Sequence, residues 1–268
     1  MIPLKLDSFR MSSPESIFLI VSIIFLILQI ITATFLIYNG IRNKMGNVVV
    51  LGLAVFLSFS SSILVFGLKL TWVQVVIPLM FAFILMVPFT QMTFHRNTKI
   101  NYHKIYAIIL FLFVGKVVFA NLEYKNSFVI LFFSLLFESL LMFICFYWTG
   151  KSSMDAYNAI KIDPLEHWIK IRLKYMGIIC KIYAFAGFPQ FLILIDQSHF
   201  IVGQESPISV ISFVIVLVFN AIFLIGMILI WVMPKKFKNY LNRKSPLKSQ
   251  SDEELSEEEI EHQFMERK

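Results

Sequence analysis

FVILFFSLLFESLLMFICFYW, residues Phe128 to Trp148, is the stretch that decides the fold. As a helix it is long enough to cross the hydrocarbon core of a bilayer, which is about 30 Å thick. Glu138 lies at the centre of this apolar run. A carboxylate at that depth costs at least about 2.5–3.5 kcal/mol on insertion scales, so it must face protein or water and not lipid. We therefore expect a membrane helix packed in a bundle, with Glu138 directed to its interior.

The composition of the whole chain indicates that the bilayer is its solvent. Apolar residues make up 58% of the 268 positions and charged residues 15%, whereas soluble domains are about 25% charged. Seven stretches are apolar enough to be spans. They are Ile17 to Tyr38, Val48 to Leu68, Val73 to Phe94, Ile105 to Ala120, Phe128 to Trp148, Met176 to Ile195 and Ile208 to Met233. The sequence predicts an all-α, polytopic membrane protein with a seven-helix bundle.

Lysine and arginine residues are divided unequally between the two sides that seven spans create. One set of flanks holds 18 of the 24 basic residues, and the opposite set holds four. Basic flanks are retained in the cytoplasm, so the N-terminus is expected outside and the C-terminus inside. This division predicts an external arm at residues 1–16, a transmembrane domain at 17–233 and a cytoplasmic tail at 234–268. The expected location is a cell membrane, which the chain crosses several times.

Lys116 and Glu138 lie in consecutive antiparallel spans. At 1.5 Å per residue, the depths of their Cα atoms differ by roughly 8 Å. A lysine stem covers much of that distance, so an intramembrane ion pair or a shared water pocket is one interpretation. The alternatives are that Lys116 snorkels to the outer headgroups and that Glu138 is a neutral carboxyl hydrogen-bonded to a neighbouring helix.

Other polar side chains within the spans could line the same interior. Gln91, Gln190 and Asn220 join Lys116 and Glu138 as candidates for binding a ligand or an ion. Small hydroxyl residues also let helices approach closely, so packing explains the serines more readily than binding does. The further polar positions are Gln29, Ser58, Ser60, Ser61, Ser62 and Ser134.

Two cytoplasmic segments are candidates for surface interactions. The first part of the tail is polybasic, and we expect it to bind the anionic cytoplasmic leaflet with about 1 kcal/mol for each near-surface cation. Its basic residues are Lys235, Lys236, Lys238, Arg243 and Lys244. Residues 150–174 include a helix start at Asp163-Pro164. This segment and the tail are the expected contacts for a cytoplasmic protein partner.

Motifs for enzyme chemistry, metals and cofactors are absent from the sequence. The five histidines form no HExxH motif or other ligand-spaced cluster, and there is no GxSxG elbow or phosphate-binding glycine loop. The last predicted span has no lysine that could form a Schiff base with retinal. The basic residues lie in juxtamembrane strips without an aromatic recognition surface, so nucleic-acid binding is not expected. We expect a protein that is not an enzyme and needs no metal or cofactor.

Three functions are compatible with such a bundle. The first is a receptor-like or sensory protein that binds a small or lipidic ligand within the bundle, which the predicted topology, the short external connections and the long tail favour. The second is a small-solute or ion transporter with Glu138 as its protonatable site, which the buried charge and the proline-interrupted spans favour. The third is an accessory subunit whose polar interior positions bind other membrane helices.

Overall fold

The structure, a computed structural model, describes residues 13–67, 72–95, 103–122, 127–160, 167–196 and 207–231. Within these ranges the chain is helical and contains no β-strand. The helices are α1 (Ser13–Arg42), α2 (Gly46–Gly67), α3 (Trp72–Ile84), α4 (Met86–Phe94), α5 (His103–Leu122), α6 (Phe128–Ala159), α7 (His167–Tyr183), α8 (Ile193–Asp196) and α9 (Pro207–Trp231). A 3-10 segment, Phe188–Leu192, lies between α7 and α8.

Several sequence predictions concern residues outside these ranges. They include most of the N-terminal arm, the helix start at Asp163-Pro164 and the tail. The predicted lipid-binding residues are therefore also outside: Lys235, Lys236, Lys238, Arg243 and Lys244. All of these stay predictions.

Six helical stretches in the described part of the chain are long and apolar enough to cross a membrane. They are Ser22–Arg42, Val76–Phe94, His103–Leu122, Phe128–Ala159, His167–Ile195 and Val210–Trp231. The chain is thus all-helical over its described residues and has the character of a multi-pass membrane protein, as its apolar pattern predicts. The apolar stretch of α2, Gly46–Ser61, is shorter than the other six. The count of seven spans therefore stays a prediction.

The helices form a closed bundle in which neighbours along the chain pack side by side. The last helix, α9, contacts both α7 and α1, whereas α5 lies at the edge against α3 and α6. The outward face of α5 is apolar, with Leu110 and Phe111 more than half exposed. Apolar surface of this extent requires a covering partner, which lipid chains provide in a bilayer. The bundle interior is therefore where buried polar groups must find partners within the protein.

Leu85 divides the predicted span Val73 to Phe94 into α3 and α4. Pro88 follows Ile84 by four residues and has no N–H group to donate to the Ile84 carbonyl. Its ring would also crowd that carbonyl, which accounts for the division at Leu85. Helix continues on both sides, and Val76–Phe94 remains one stretch long enough to cross a membrane.

The predicted span Met176 to Ile195 is not one continuous α-helix, although it lies within a single stretch, His167–Ile195, that is long and apolar enough to cross a membrane. α7 ends at Tyr183, and the chain passes through a turn into the 3-10 segment. Pro189 explains the change, because it cannot donate to the Phe185 carbonyl and its ring would clash with that group. Backbone hydrogen bonds here join residues three apart, as in a 3-10 helix. One of them is the 3.1 Å hydrogen bond that the Phe188 N–H group donates to the Phe185 carbonyl.

The segment at residues 150–174 is largely helical in its described part. α6 runs without a break over Phe128–Ala159, and α7 is described from His167. The 32 residues of α6 extend about 48 Å at 1.5 Å per residue. This length exceeds the hydrocarbon core of about 30 Å. The end of α6 therefore projects beyond the core.

Candidate ligand sites in the helical bundle

The first candidate site is a charged cluster formed by Lys116, Ser134, Glu138 and Gln190. Lys116 Nζ lies 2.9 Å from Glu138 Oε2 and donates a 2.7 Å hydrogen bond to Ser134 Oγ. Lys116 is 4% exposed and Glu138 is 7% exposed, so both are sheltered from water and lipid. The structure therefore shows the ion pair. The snorkelling alternative for Lys116 is therefore wrong.

Close packing of α5 on α6 makes this contact possible. Gly115, next to Lys116, lies against the ring of Phe137, and a Cβ atom at Gly115 would be 2.7 Å from that ring. Ser134 precedes Glu138 by four residues on α6, so the two side chains share one helix face. Both therefore reach the ammonium group of Lys116.

The 3-10 segment supplies the fourth member of the charged cluster. Gln190 Nε2 lies 3.4 Å from Glu138 Oε1, so an amide donor approaches the second oxygen of the carboxylate. Gly187 holds the start of this segment close to α6, because a Cβ atom there would lie only 3.0 Å from Cα of Ser139. The unwound turn after α7 thus brings Gln190 to the ion pair.

The charged cluster is balanced in charge and linked by hydrogen bonds. Its one cation and one anion neutralise each other, which compensates part of the cost of their burial. Among the described residues, no group of three or more histidine, cysteine, aspartate or glutamate side chains could hold a metal ion. The charged cluster joins α5, α6 and the 3-10 segment, and we interpret it first as an interhelical connection.

The second candidate site is a central cavity bordered by α1, α2, α3, α4, α6, α7 and α9. Its volume is about 30 Å³, which gives room for about two water molecules. Most of its wall is apolar. Four polar side chains reach the wall: Gln29, Ser58, Tyr183 and Asn220.

Hydrogen bonds join these polar side chains in two pairs. Gln29 Nε2 donates to Ser58 Oγ at 3.1 Å and links α1 to α2. The Tyr183 hydroxyl donates to Asn220 Oδ1 at 2.6 Å and links α7 to α9, and Asn220 Nδ2 donates to the Val216 carbonyl at 2.8 Å. Gln29 Oε1 has no hydrogen-bond partner among the described residues, although Gln29 is only 2% exposed.

Aromatic rings make up much of the apolar wall of the central cavity. The ring centroid of Tyr183 lies 4.6 Å from that of Phe146 and 4.4 Å from that of Phe223. Phe83 continues the cluster, with its centroid 5.9 Å from that of Phe146. Edge-to-face and stacked contacts of this kind add to the energy of apolar burial. They give the cavity a well-packed wall beside the polar groups.

Four of the five candidate binding residues that the sequence groups together belong to two different sites. Lys116, Glu138 and Gln190 meet in the charged cluster. Asn220 lies in the wall of the central cavity instead. Gln190 therefore belongs with the ion pair to the charged cluster, whereas Asn220 belongs to the central cavity.

Two further residues show what sequence reasoning did not anticipate. Gln91 lines neither site, and its Oε1 accepts a 3.3 Å hydrogen bond from the hydroxyl of the exposed Tyr106. Tyr183, by contrast, is a cavity residue that the sequence interpretation omits. The sequence does contain a signal for Tyr183, because a tyrosine within an apolar span usually needs a hydrogen-bond partner for its hydroxyl and therefore indicates a polar site.

The two interior sites are the observations from which a function can be inferred. Each is built from side chains of several helices, and each contains polar groups in a place where polar groups are costly. Comparison with known proteins gives no further information on these two sites, because the chain matches no protein-family model, no curated protein and no solved structure.

Proposed function

We propose that this chain is a receptor-like or sensory integral membrane protein that binds a small ligand in the central cavity. The observation that carries the proposal is Gln29, a cavity residue whose Oε1 is buried without a hydrogen-bond partner in the described part of the chain. Leaving such a group unsatisfied costs about 1–3 kcal/mol. Native proteins keep few of these groups, and each calls for an explanation. Oε1 has almost no accessible surface, so a ligand that donates to it and recovers this energy must first displace part of the wall.

A series of contacts connects the central cavity with one end of the bundle. Met86 lines the cavity, and Phe89, three residues later on α4, packs edge-on against Trp231 with centroids 5.9 Å apart. Arg172 of α7 lies over the same Trp231 ring, 3.8 Å from its centroid. We propose that this end is cytoplasmic. A ligand that shifts α4 would then change the packing of α7 and α9 at the cytoplasmic surface.

Spin labels at Lys151→Cys on α6 and Lys174→Cys on α7 test this coupling. Both lysines are exposed, and the two native cysteines, Cys145 and Cys180, are buried, so labelling should favour the introduced positions. We expect methanol, which is about the size of two water molecules and can donate a hydrogen bond, to shift the distance distribution between the labels. The shift should be lost in the Gln29→Leu variant. An unchanged distribution would contradict the receptor proposal.

A second candidate function is a small-solute or ion transporter with Glu138 as its protonatable site. The observation that favours it is the charged cluster beside a non-α segment at membrane depth, since such segments often border ion or substrate sites. Glu138 could exchange a proton only after its contact with Lys116 opens. Proton-driven uptake in proteoliposomes that is lost in Glu138→Gln would favour this function over the first.

We also propose that the chain crosses a cell membrane seven times, with α2 as the additional span. The whole of α2, Gly46–Gly67, has 22 residues, which is sufficient for crossing. The asymmetry of 18 against four basic residues supports an external N-terminus and a cytoplasmic C-terminus. In intact cells we expect a terminal tag to be protease-sensitive at the N-terminus and protected at the C-terminus. Two tags on the same side of the membrane would contradict an odd number of spans.

The cytoplasmic surfaces complete the proposal. The polybasic part of the tail would bind the anionic leaflet by electrostatic attraction. The tail and residues 150–174 would then be available to a cytoplasmic protein partner. Exposed Lys151 on α6 and Lys174 on α7 give the second of these surfaces a basic character.

A further inference from the structure

We infer that an anionic phospholipid binds on the outward side of the crossing between α6 and α7. The surface there combines a basic rim, which would bind the lipid phosphate, with an apolar strip, which would contact the acyl chains. This inference goes beyond the proposed function, because it uses no residue of the central cavity. It follows from the charge of the rim, its depth in the bilayer and the position of the strip beside it.

The basic rim consists of three lysines from both helices: Lys151, Lys174 and Lys181. Gly150 marks the crossing, because a Cβ atom there would lie 2.8 Å from Lys181 Cγ and 2.9 Å from the Gly177 carbonyl oxygen. Lys151 follows Gly150 on α6. Lys174 precedes Gly177 by three residues on α7. Lys151 and Lys174 are exposed and Lys181 is partly exposed, so the rim is accessible from outside the bundle.

The charge of the basic rim favours an anion. Within the described part of the chain, none of its three lysines forms a salt bridge. Asp155, one helical turn after Lys151, is an exposed acid of α6. The three lysines outnumber it, so the described surface keeps a net positive charge. A cation near the membrane surface contributes about 1 kcal/mol to the attraction of an anionic headgroup.

The depth of the basic rim matches that of the lipid headgroups. The apolar run of α6 ends at Trp148, and Lys151 lies about 4.5 Å further along the helix axis. The headgroup region occupies about 5–7 Å on each side of the hydrocarbon core. Lys181 lies at the level of Gly150, so both lysines fall within this layer. Lys174, about 10 Å from Lys181 along α7, forms the outer side of the rim.

The apolar strip begins beside the basic rim and spans both helices. Phe143 joins the two sides, with its ring centroid 5.1 Å from that of Tyr147 on α6 and 5.3 Å from that of Phe185 after α7. Ile178 and Ile182 complete the strip on α7. Apart from the half-buried Phe143, every member of the strip is more than one third exposed. Lipid chains are the natural cover for such a surface in a bilayer.

The rim and the strip are arranged in the same order as the parts of a phospholipid. Tyr147 precedes Lys151 by four residues, and Ile178 follows Lys174 by four, so each pair shares one helix face. A soluble anion would leave the strip uncovered. A lipid without net charge would leave the lysines without a counter-ion. An anionic phospholipid satisfies both parts of the surface at once.

Photo-cross-linking with two lipids tests this site. Phosphatidylglycerol is anionic, and phosphatidylcholine has no net charge. Each carries the same photoactivatable acyl chain and is added to the purified full chain in micelles of a neutral detergent. Mass spectrometry of the digested protein then locates the cross-links. We expect phosphatidylglycerol to label the apolar strip more strongly than phosphatidylcholine, by about fivefold for each lysine that contacts the phosphate.

Paired substitutions show whether the basic rim causes this preference. In the double variant Lys151→Gln with Lys174→Gln, the preference should fall by at least about fivefold. Arg42→Gln with Lys44→Gln is the matched control. It also removes two exposed cations, but at the end of α1, which packs on α2 and α9, and it should keep the preference. The polybasic tail is present in every variant, so its own attraction for anionic lipid is the same throughout.

The outcomes separate a lipid from other occupants. Equal labelling of the strip by the two lipids, or a preference that survives the loss of Lys151 and Lys174, would overturn the inference. Inorganic phosphate in excess, compared with chloride at equal ionic strength, should leave the labelling unchanged. A loss of labelling with phosphate would mean that the rim binds free phosphate and not a lipid. These readouts do not involve the response to methanol, so the receptor proposal stands or falls separately.

Discussion

Replacing Lys116 by methionine is expected to lower the free energy of unfolding by about 3–5 kcal/mol, the cost of breaking a buried ion pair from one side. The variant keeps the length of the side chain but removes the cation that lies 2.9 Å from Glu138 Oε2. The remaining carboxylate is 7% exposed and cannot turn to water without opening the α5–α6 contact. The change in unfolding free energy can be measured by titrating the purified protein with a denaturing detergent. The loss of the helical circular dichroism signal reports the unfolding.

A double-mutant cycle shows whether this cost belongs to the pair. In the Glu138→Gln background Lys116 is itself the unpaired charge, so Lys116→Met should cost far less there, or should stabilise the protein. Lys151→Met, which removes an exposed lysine of α6, is the control and should change the unfolding free energy by no more than about 0.5 kcal/mol. Equal costs of Lys116→Met in both backgrounds would show that Lys116 and Glu138 do not stabilise each other.

Gly150→Ala is expected to destabilise the bundle by about 1–3 kcal/mol, the usual cost of overpacking a tight contact. Gly150 lies where α6 crosses α7, and a Cβ atom there would be 2.9 Å from the Gly177 carbonyl oxygen and from the Lys181 backbone nitrogen. Backbone atoms cannot move aside unless α7 moves as a whole. The 2.8 Å hydrogen bond from Ser153 Oγ to the Leu173 carbonyl belongs to the same crossing and should weaken with it. The same detergent titration measures the loss.

Gly46→Ala is the matched control for this exchange. It adds the same methyl group to a helix, but the nearest atom to the new Cβ would be Met92 Cε at 3.2 Å, the end of a flexible and exposed side chain. We expect a change of no more than about 0.5 kcal/mol. The difference between the two variants therefore reports the contact at Gly150. If both glycines tolerated alanine equally well, the α6–α7 crossing would be looser than its geometry indicates.

The charged cluster shows how much of a tertiary contact can be predicted from residue spacing alone. The depths of Lys116 and Glu138, which follow from the rise of a helix, make an ion pair compatible with the sequence. Depth does not decide which faces of two helices meet, so the sequence is also compatible with a snorkelling lysine, which it favours. The contact of Gly115 with Phe137 decides which helix faces meet, because it brings α5 close to α6 at the depth of Lys116. Gln190 joins only because the chain unwinds after α7.

The helices differ in how fully local sequence predicts them. The stretch Ile105 to Ala120 is short and carries Lys116, yet it forms the continuous helix His103–Leu122, because apolar length is a local property. The stretch Met176 to Ile195 has the same apolar character but is not a continuous α-helix. Pro189 indicates that the α-helix is broken at this point. Its form, a turn followed by a 3-10 segment, also depends on the contact of Gly187 with α6.

By itself the sequence determined the all-helical, membrane-spanning character of this protein and the burial of Glu138, because the cost of polar groups in hydrocarbon acts on each segment separately. The partner of Glu138 and the central cavity were decided by the tertiary structure. A cavity is the space that several packed helices leave between them, and no single segment encodes it. The unpartnered oxygen of Gln29 is such a result, since it depends on which hydrogen bonds the surrounding helices do and do not supply.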